Sequence, residues 1–128
     1  KFVISADGQY RTTRFPLIEG KTSYNLDGQA AVRRPLCDTV TEPDIGTLML
    51  YHFPTTWNHV MGDHATTFRM LPLTPTTTQL TTKWLVHKDA VEGVDYDLAE
   101  LTHVWTEANS HDRVIMDKHA LAILSPAR

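Results

Sequence analysis

The last third of the chain most constrains the fold, because its apolar residues have the spacing of one long amphipathic helix. Side chains three or four residues apart lie on one face of an α-helix. On one such face every side chain but one is apolar, small or aromatic, and the exception is an aspartate. The face consists of Leu98, Leu101, Trp105, Ala108, Asp112, Ile115, His119 and Ala122. This stripe predicts a helix that packs against another layer of structure.

The bounds of this helix can also be predicted. The spacing of Asp97 and Glu100 is that of a capping box, with Asp97 as the N-cap and Asp95 as the alternative. The pair Ser125-Pro126 should end the helix, because proline cannot continue it. A helix from Asp97 to Leu124 would be roughly 40 Å long. That length is enough to cross a whole sheet.

Asp112 is the residue on the stripe that needs an explanation. A carboxylate that faces a core without a partner costs several kcal/mol, so it should be exposed, paired or bound to a metal. The residues alone favour a buried salt bridge or hydrogen bond, for example to an arginine of the sheet, over a metal ligand or a catalytic acid or base. His119 lies roughly 10 Å farther along the helix and is too distant to share one ion with Asp112.

The part before the helix has the pattern of β-strands separated by short turns. From Leu80 to His87 the side chains alternate, with Leu80, Thr82, Trp84 and Val86 on one face. Met61-Gly62-Asp63 is typical of a hairpin turn, and Pro75-Thr76-Thr77 of a second turn. The predicted strands are Lys1–Ile4, Tyr10–Arg14, Lys21–Leu26, Leu48–Phe53, Trp57–Val60, Ala65–Leu71 and Leu80–His87.

These elements predict an α+β fold in which a long C-terminal helix packs on an antiparallel meander, an arrangement known as a helix grip. The length of 128 residues fits a single domain, 1–128. The chain does not begin with methionine and opens directly in a predicted strand. We therefore expect it to be part of a longer protein.

Composition excludes several functions. The net charge is −3 with no basic run, so a nucleic-acid partner is not expected. No apolar run approaches the roughly 18 residues that a membrane span needs. The single cysteine, Cys37, excludes an internal disulfide and fits a cytoplasmic location. There is no glycine-rich phosphate loop, no paired Cys-x-x-Cys and no nucleophile elbow.

Histidines and aromatic residues of the meander are the remaining candidates for a site. His59 and His64 flank the hairpin turn and could face each other as iron or zinc ligands. No third ligand is close in sequence, so ordinary surface or hydrogen-bonding roles are favoured. Trp57, Phe68 and Trp84 should mostly be core, but those on the concave face could line a pocket for a quaternary ammonium group.

Four segments carry a resemblance to a known family. They are 51–59 (YHFPTTWNH), 82–98 (TKWLVHKDAVEGVDYDL), 101–105 (LTHVW) and 109–113 (NSHDR). Together they resemble the C-terminal catalytic domain of Rieske-type oxygenase α-subunits, also known as ring-hydroxylating oxygenases. The branch that they most resemble is the bacterial one that demethylates glycine betaine and related quaternary ammonium compounds. The likeness is densest from Thr47 to Arg113, and the run from Trp84 to Leu98 is its most specific part.

The resemblance implies a function. Such enzymes hold a mononuclear Fe(II) between two histidines and one carboxylate, and they receive electrons from a reductase through a Rieske [2Fe–2S] cluster. The carboxylate stands at the position of Asp112. The implied reaction uses O2 to hydroxylate an N-methyl carbon, after which formaldehyde is released. The implied assembly is a homotrimer. For a cationic substrate of this kind, Trp57, Phe68 and Trp84 are the candidate substrate-binding residues, because a quaternary ammonium group favours aromatic faces.

The chain also departs from the family pattern. The family's two histidines belong to an acidic-x-x-His-x4-His motif that precedes the catalytic sheet. His59 and His64 match the internal spacing, but Thr56 replaces the acid, so this pair is interpreted as a decoy. There is no Cys-x-His…Cys-x-x-His, and the Asn-Gln pair usual near Lys118-His119 is missing. We therefore expect a fragment that lacks two iron ligands and the electron input, and that is inactive alone.

A second interpretation comes from another class of protein. The chain would then be a stand-alone helix-grip module that binds an apolar or cationic small molecule between sheet and helix, without redox chemistry. The gene discriminates between the two. A reading frame that continues upstream through a Cys-x-His motif favours the enzyme, and a start codon next to Lys1 favours the binder.

Overall fold

The computed structural model describes residues 2–39 and 45–125. Within them, six strands form one sheet and a single long helix follows. The elements are β1 (Phe2–Ile4), β2 (Tyr10–Phe15), β3 (Thr47–His52), β4 (Thr56–Val60), β5 (Ala65–Thr74), β6 (Thr77–Leu85) and α1 (Leu98–Leu124). The predicted α+β class is confirmed.

The order of the strands in the sheet is the order of the strands in the chain, and every neighbouring pair is antiparallel. Trp57 lies opposite Phe68, while Thr66 lies between His59 and Trp84. Because side chains alternate along a strand, all five point to the same face of the sheet. That face is the one covered by α1.

Most predicted strands are present, with small differences in their bounds. The hairpin between β4 and β5 is confirmed, and Pro75 and Thr76 form the turn between β5 and β6. Lys1, where the first predicted strand began, lies outside the described residues. The predicted strand Lys21–Leu26 is wrong. That segment forms turns, with the backbone N–H groups of Thr22 and Ser23 both donating to the carbonyl of Gly28.

The predicted start of α1 is confirmed. The Asp97 carboxylate accepts a hydrogen bond from the backbone N–H of Glu100 at 2.9 Å. Asp95, the alternative cap, instead accepts a backbone N–H of the preceding loop. The helix ends at Leu124, with Ser125 as its C-cap, and Pro126 lies outside the described residues. Among the described residues, no helix combines the length and apolarity required to cross a bilayer.

Only the first half of α1 packs on the sheet. Leu101 is 5% exposed and forms a small core with Ala31 and Val32. Farther along, the Asn109 side-chain amide donates to the Thr82 hydroxyl at 3.1 Å. Residues 111–124 are all exposed. The prediction of a stripe buried along the whole helix is therefore wrong for its second half, since periodicity identifies a helix face but not how far the partner layer extends.

Candidate functional site

A cleft of about 710 Å³ lies between the sheet, α1 and the segment 16–28. Its volume is within the range of small-molecule sites, roughly 300–1,000 Å³. The sheet contributes Phe15, Thr47, Met49 and His59, and α1 contributes Val104. The segment 16–28 contributes Pro16, Leu17, Ile18, Lys21, Ser23, Tyr24, Asn25, Leu26, Asp27 and Gly28.

A series of contacts between aromatic rings connects this cleft to the sheet behind it. Tyr24 stacks on Trp105 of α1 with ring centroids 5.5 Å apart. The Trp105 ring lies 4.7 Å from His59 and 4.8 Å from Phe68. Phe68 in turn stacks on Trp57 at 4.9 Å. One continuous aromatic layer therefore runs from the segment 16–28, through the helix, to β4 and β5.

His59 lines the cleft and leaves one of its ring nitrogens without a partner among the described residues. Its side chain lies on β4, is 7% exposed, and has a buried Nδ1 with no hydrogen-bond partner among the described residues. Burial lowers the pKa of His59, so the ring is neutral at neutral pH. A buried polar group without a partner costs roughly 1–3 kcal/mol. His59 is therefore a candidate contact for a bound molecule.

Asp63, in the turn between β4 and β5, fastens the segment that forms the outer wall. Its carboxylate accepts hydrogen bonds from the backbone N–H groups of Ala31 (2.9 Å) and Val32 (3.2 Å), from His64 Nδ1 (3.0 Å) and from the Ser23 hydroxyl. Burial alone would raise the pKa of Asp63. The hydrogen bond and the electrostatic attraction of His64, together with the hydrogen bonds from Ser23 and from the backbone of Val32, outweigh burial and lower this pKa.

The same contacts argue against acyl-transfer chemistry at this cluster. A nucleophilic serine needs a histidine that accepts its proton. Here Ser23 and His64 each bond to the carboxylate of Asp63 rather than to one another. The sequence predicts Asp63 only as a turn residue, because no neighbouring residue indicates its distant partners.

Asp112 lies on the exposed part of α1. Within the described residues its carboxylate makes no ion pair or hydrogen bond, and it does not line the cleft. The interpretation of Asp112 as a buried salt bridge is therefore wrong. It lies seven residues beyond Trp105 on the same face of the helix, roughly 10 Å along the axis.

The three aromatic residues predicted to bind substrate lie behind this cleft rather than in its wall. Phe68 is 1% exposed, and Trp57 is half-buried against it. Trp84 packs on the core formed by Ala31, Val32 and Leu101. Their role in substrate binding stays a prediction. Tyr24 and His59, which do line the cleft, were not predicted to bind substrate, because the sequence does not show that the segment 16–28 folds over the sheet.

A metal centre is not formed by the described part of the chain. His64 is engaged with Asp63, whereas His59 lies among aromatic rings on the helix-covered face. In the described ranges, no group of three or more His, Cys, Asp or Glu side chains could hold a metal ion.

Comparison with known proteins identifies the family. The model of a family described as "Ring hydroxylating alpha subunit (catalytic domain)" matches residues 2–127. The chain belongs to this family. Membership implies a Rieske oxygenase that uses non-haem iron, although the described residues offer no complete iron site. The resemblance seen in the sequence, and the fold expected from it, are confirmed.

Two relatives carry the same name, "Glycine betaine monooxygenase oxygenase subunit". The protein from Chromohalobacter salexigens is 48% identical over 117 residues, which is 91% of this chain and 26% of the relative. The protein from Pseudomonas aeruginosa strain UCBPP-PA14 is 44% identical over 117 residues, which is 91% of this chain and 27% of the relative. The chain thus spans about a quarter of the length of these curated relatives.

Proposed function

We propose that this chain is the catalytic-domain part of a Rieske-type monooxygenase that removes an N-methyl group from glycine betaine or a similar quaternary ammonium compound, with release of formaldehyde. One observation carries the proposal. The chain belongs to the ring-hydroxylating catalytic-domain family, and its relatives are named glycine betaine monooxygenase oxygenase subunits. It has a cleft of about 710 Å³ with an aromatic wall between its sheet and its helix.

The chemistry of the cleft suits such a substrate. A quaternary ammonium group has no N–H to donate, so proteins recognise it through aromatic faces. Phe15 and Tyr24 line the cleft, and Met49 adds a polarisable thioether. Trp57 and Phe68 form the layer behind His59, and with Trp84 they remain our proposed support of the substrate-binding surface.

We further propose that Asp112 supplies one carboxylate to the mononuclear iron, whose two histidine ligands come from outside this chain. Three features support this role: the family resemblance at this position, the exposure of the carboxylate, and its lack of a partner among the described residues. Val114, Ile115 and Met116, which follow Asp112 closely, are apolar and all more than half exposed. We propose that other parts of a longer subunit cover them.

The rest of the enzyme belongs to the same proposal. The relatives are about 3.5 times as long as this chain, which leaves room for a Rieske [2Fe–2S] domain and the iron-binding histidines. A reductase would deliver the electrons, the oxygenase would be a cytoplasmic homotrimer, and the chain alone would be inactive. The alternative of a stand-alone binding module is not favoured, because the matching family is a catalytic domain of an oxygenase subunit.

Turnover tests the proposed reaction. A full-length subunit that carries this sequence, supplied with reductase and NAD(P)H, should release one formaldehyde for each glycine betaine consumed. Consumption of O2 without formaldehyde, or no effect of glycine betaine on O2 uptake, would contradict the proposal. Choline and carnitine serve as comparison substrates in the same assay.

Iron content tests the role of Asp112 independently of turnover. In the full-length subunit, Asp112→Ala should remove nearly all mononuclear iron and leave the Rieske absorption spectrum intact. Asp117→Ala is the matched control, because Asp117 is also exposed on α1 and pairs only weakly with Arg113, at 3.8 Å. Full iron occupancy in Asp112→Ala, or equal loss in Asp117→Ala, would overturn the assignment.

A further inference from the structure

The cleft has polar as well as aromatic lining residues. Lys21 and His59 both line it, and Lys21 is the only lysine or arginine among its lining residues. Asp27 also lines it, but its side chain accepts the backbone N–H of Gln29 at 2.8 Å and is thereby held within its own loop. The lining therefore includes one cation, one neutral imidazole and the carboxylate of Asp27, which already accepts a hydrogen bond within its own loop.

Lys21 is held in place by its surroundings. Its Nζ donates to the backbone carbonyl of Asp27 at 2.6 Å. Its aliphatic stem lies over Gly28, which has a φ of +74°, and a Cβ on that glycine would collide with the stem. An ammonium group has three N–H donors, so two remain for a ligand. The positive charge is thus positioned at the cleft before any ligand arrives.

His59 complements this cation. Its ring lines the cleft, and its buried Nδ1 has no partner in the part of the chain that the structure describes. No hydrogen bond at Nδ1 fixes the tautomer, so the ring N–H can be on either nitrogen. Because burial keeps the imidazole neutral, it adds a directed N–H donor without a second positive charge. A cation and a neutral donor that line the same cleft are a combination suited to a carboxylate.

We propose that Lys21 and His59 form a carboxylate-binding subsite in the cleft, whose aromatic residues receive the quaternary ammonium group. The proposal rests on the proposed function for the identity of the substrate, and it defines the substrate class as betaines. A site built to bind a polar group strongly rejects analogues that lack it, because its own donors are then left unpaired. Choline, which carries a hydroxyl in place of the carboxylate, should therefore be a poor ligand.

Three probes separate the two ends of the substrate. Glycine betaine carries the cation and the carboxylate, choline carries only the cation, and 3,3-dimethylbutyrate has the shape and carboxylate of glycine betaine without its positive charge. Calorimetry with the full-length subunit should show binding of glycine betaine and 3,3-dimethylbutyrate. Lys21→Met and His59→Phe should each weaken both by about 10- to 100-fold, as expected for loss of a charged hydrogen bond, and leave choline unchanged.

Matched variants control for indirect effects. Lys88→Met removes an exposed lysine that pairs with Asp89, and His52→Phe replaces an exposed histidine on the other face of the sheet. Neither should change any of the three affinities. His59→Gln, whose longer side chain restores an N–H donor near the position of Nε2, should recover part of the lost affinity. Thermal unfolding verifies that each variant is folded. If His59→Phe does not fold, Lys21→Met still tests the subsite.

Each outcome has one meaning. Three results would overturn the subsite. The first is that the variants weaken the binding of choline and of glycine betaine equally, and the second is that both variants bind 3,3-dimethylbutyrate as the unmodified subunit does. The third is that the unmodified subunit binds neither carboxylate. The subunit could bind 3,3-dimethylbutyrate, lose this binding in Lys21→Met, and yet release no formaldehyde from glycine betaine. That result would support the subsite and refute the proposed reaction. Normal turnover with unchanged preference for glycine betaine over choline in both variants supports the reaction and refutes the subsite.

Discussion

Replacing Asp63 should strongly destabilise the fold, because this buried carboxylate joins the hairpin after β4 to a distant part of the chain. Asp63→Ala removes the acceptor of four hydrogen bonds. The backbone N–H groups of Ala31 and Val32 and the ring N–H of His64 would then be buried without a partner. Each unpaired donor costs roughly 1–3 kcal/mol, and loss of one partner in a buried charged network costs roughly 3–5 kcal/mol. We expect a loss of about 3–5 kcal/mol in the free energy of unfolding.

Asp63→Asn should cost less, about 1–2 kcal/mol, because it keeps the shape and most of the hydrogen bonds. The amide oxygen can accept from the backbone N–H groups, and the amide N–H can donate to the Ser23 hydroxyl, which is able to reverse its role. Urea denaturation followed by tryptophan fluorescence measures both values. Asp117→Ala, at an exposed pair, should stay within about 0.5 kcal/mol of the unmodified chain.

The pH dependence gives an independent measure of the same carboxylate. The fold lowers the pKa of Asp63, so its stabilisation is complete above the unfolded pKa, about 3.9, and is lost as the pH falls through the folded pKa. The difference in stability between the unmodified chain and Asp63→Asn should therefore shrink on acidification across that window. A difference that is constant with pH, or an Asp63→Ala variant within about 1 kcal/mol of the unmodified chain, would refute the reasoning.

Two further predictions concern local backbone geometry. Gly46→Ala should lower the free energy of unfolding by about 1–3 kcal/mol more than Gly8→Ala. Both glycines have a left-handed φ, but only at Gly46 would the added Cβ meet the carbonyl oxygen of Phe15. Equal losses of stability in thermal unfolding would contradict this reason. Asp97→Ala should cost about 1 kcal/mol and reduce helical ellipticity through loss of the N-cap, and an unchanged helix signal would argue against the cap.

Local patterns predicted the elements well. The alternation from Leu80 to Val86 placed Trp84 on the core side, and Trp84 and Val86 do pack on that core. The spacing of Asp97 and Glu100 identified the start of α1. Each of these features depends on neighbours within a few residues, which is the range over which periodicity and capping act.

Long-range contacts were the part that the sequence did not reveal. Asp63 is 40 residues from Ser23 and 32 from Ala31, and no local pattern indicates such partners. The pattern of Lys21–Leu26 predicts a strand, although the segment 16–28 folds back as a turn-rich wall of the cleft. The position of His59 beside Trp105 likewise depends on how far α1 crosses the sheet.

The identical order of strands in chain and sheet has a consequence for how the molecule folds. Strands β3 to β6 are joined by short turns, whereas residues 16–46 separate β2 from β3. The entropic cost of closing a loop rises with its length, and contacts between sequence neighbours form fastest. We expect the four-strand meander to assemble first, and the segment that walls the cleft to dock onto it afterwards. The ligand-binding surface would then be the last part of the chain to form, so a bound carboxylate would stabilise the final step of folding.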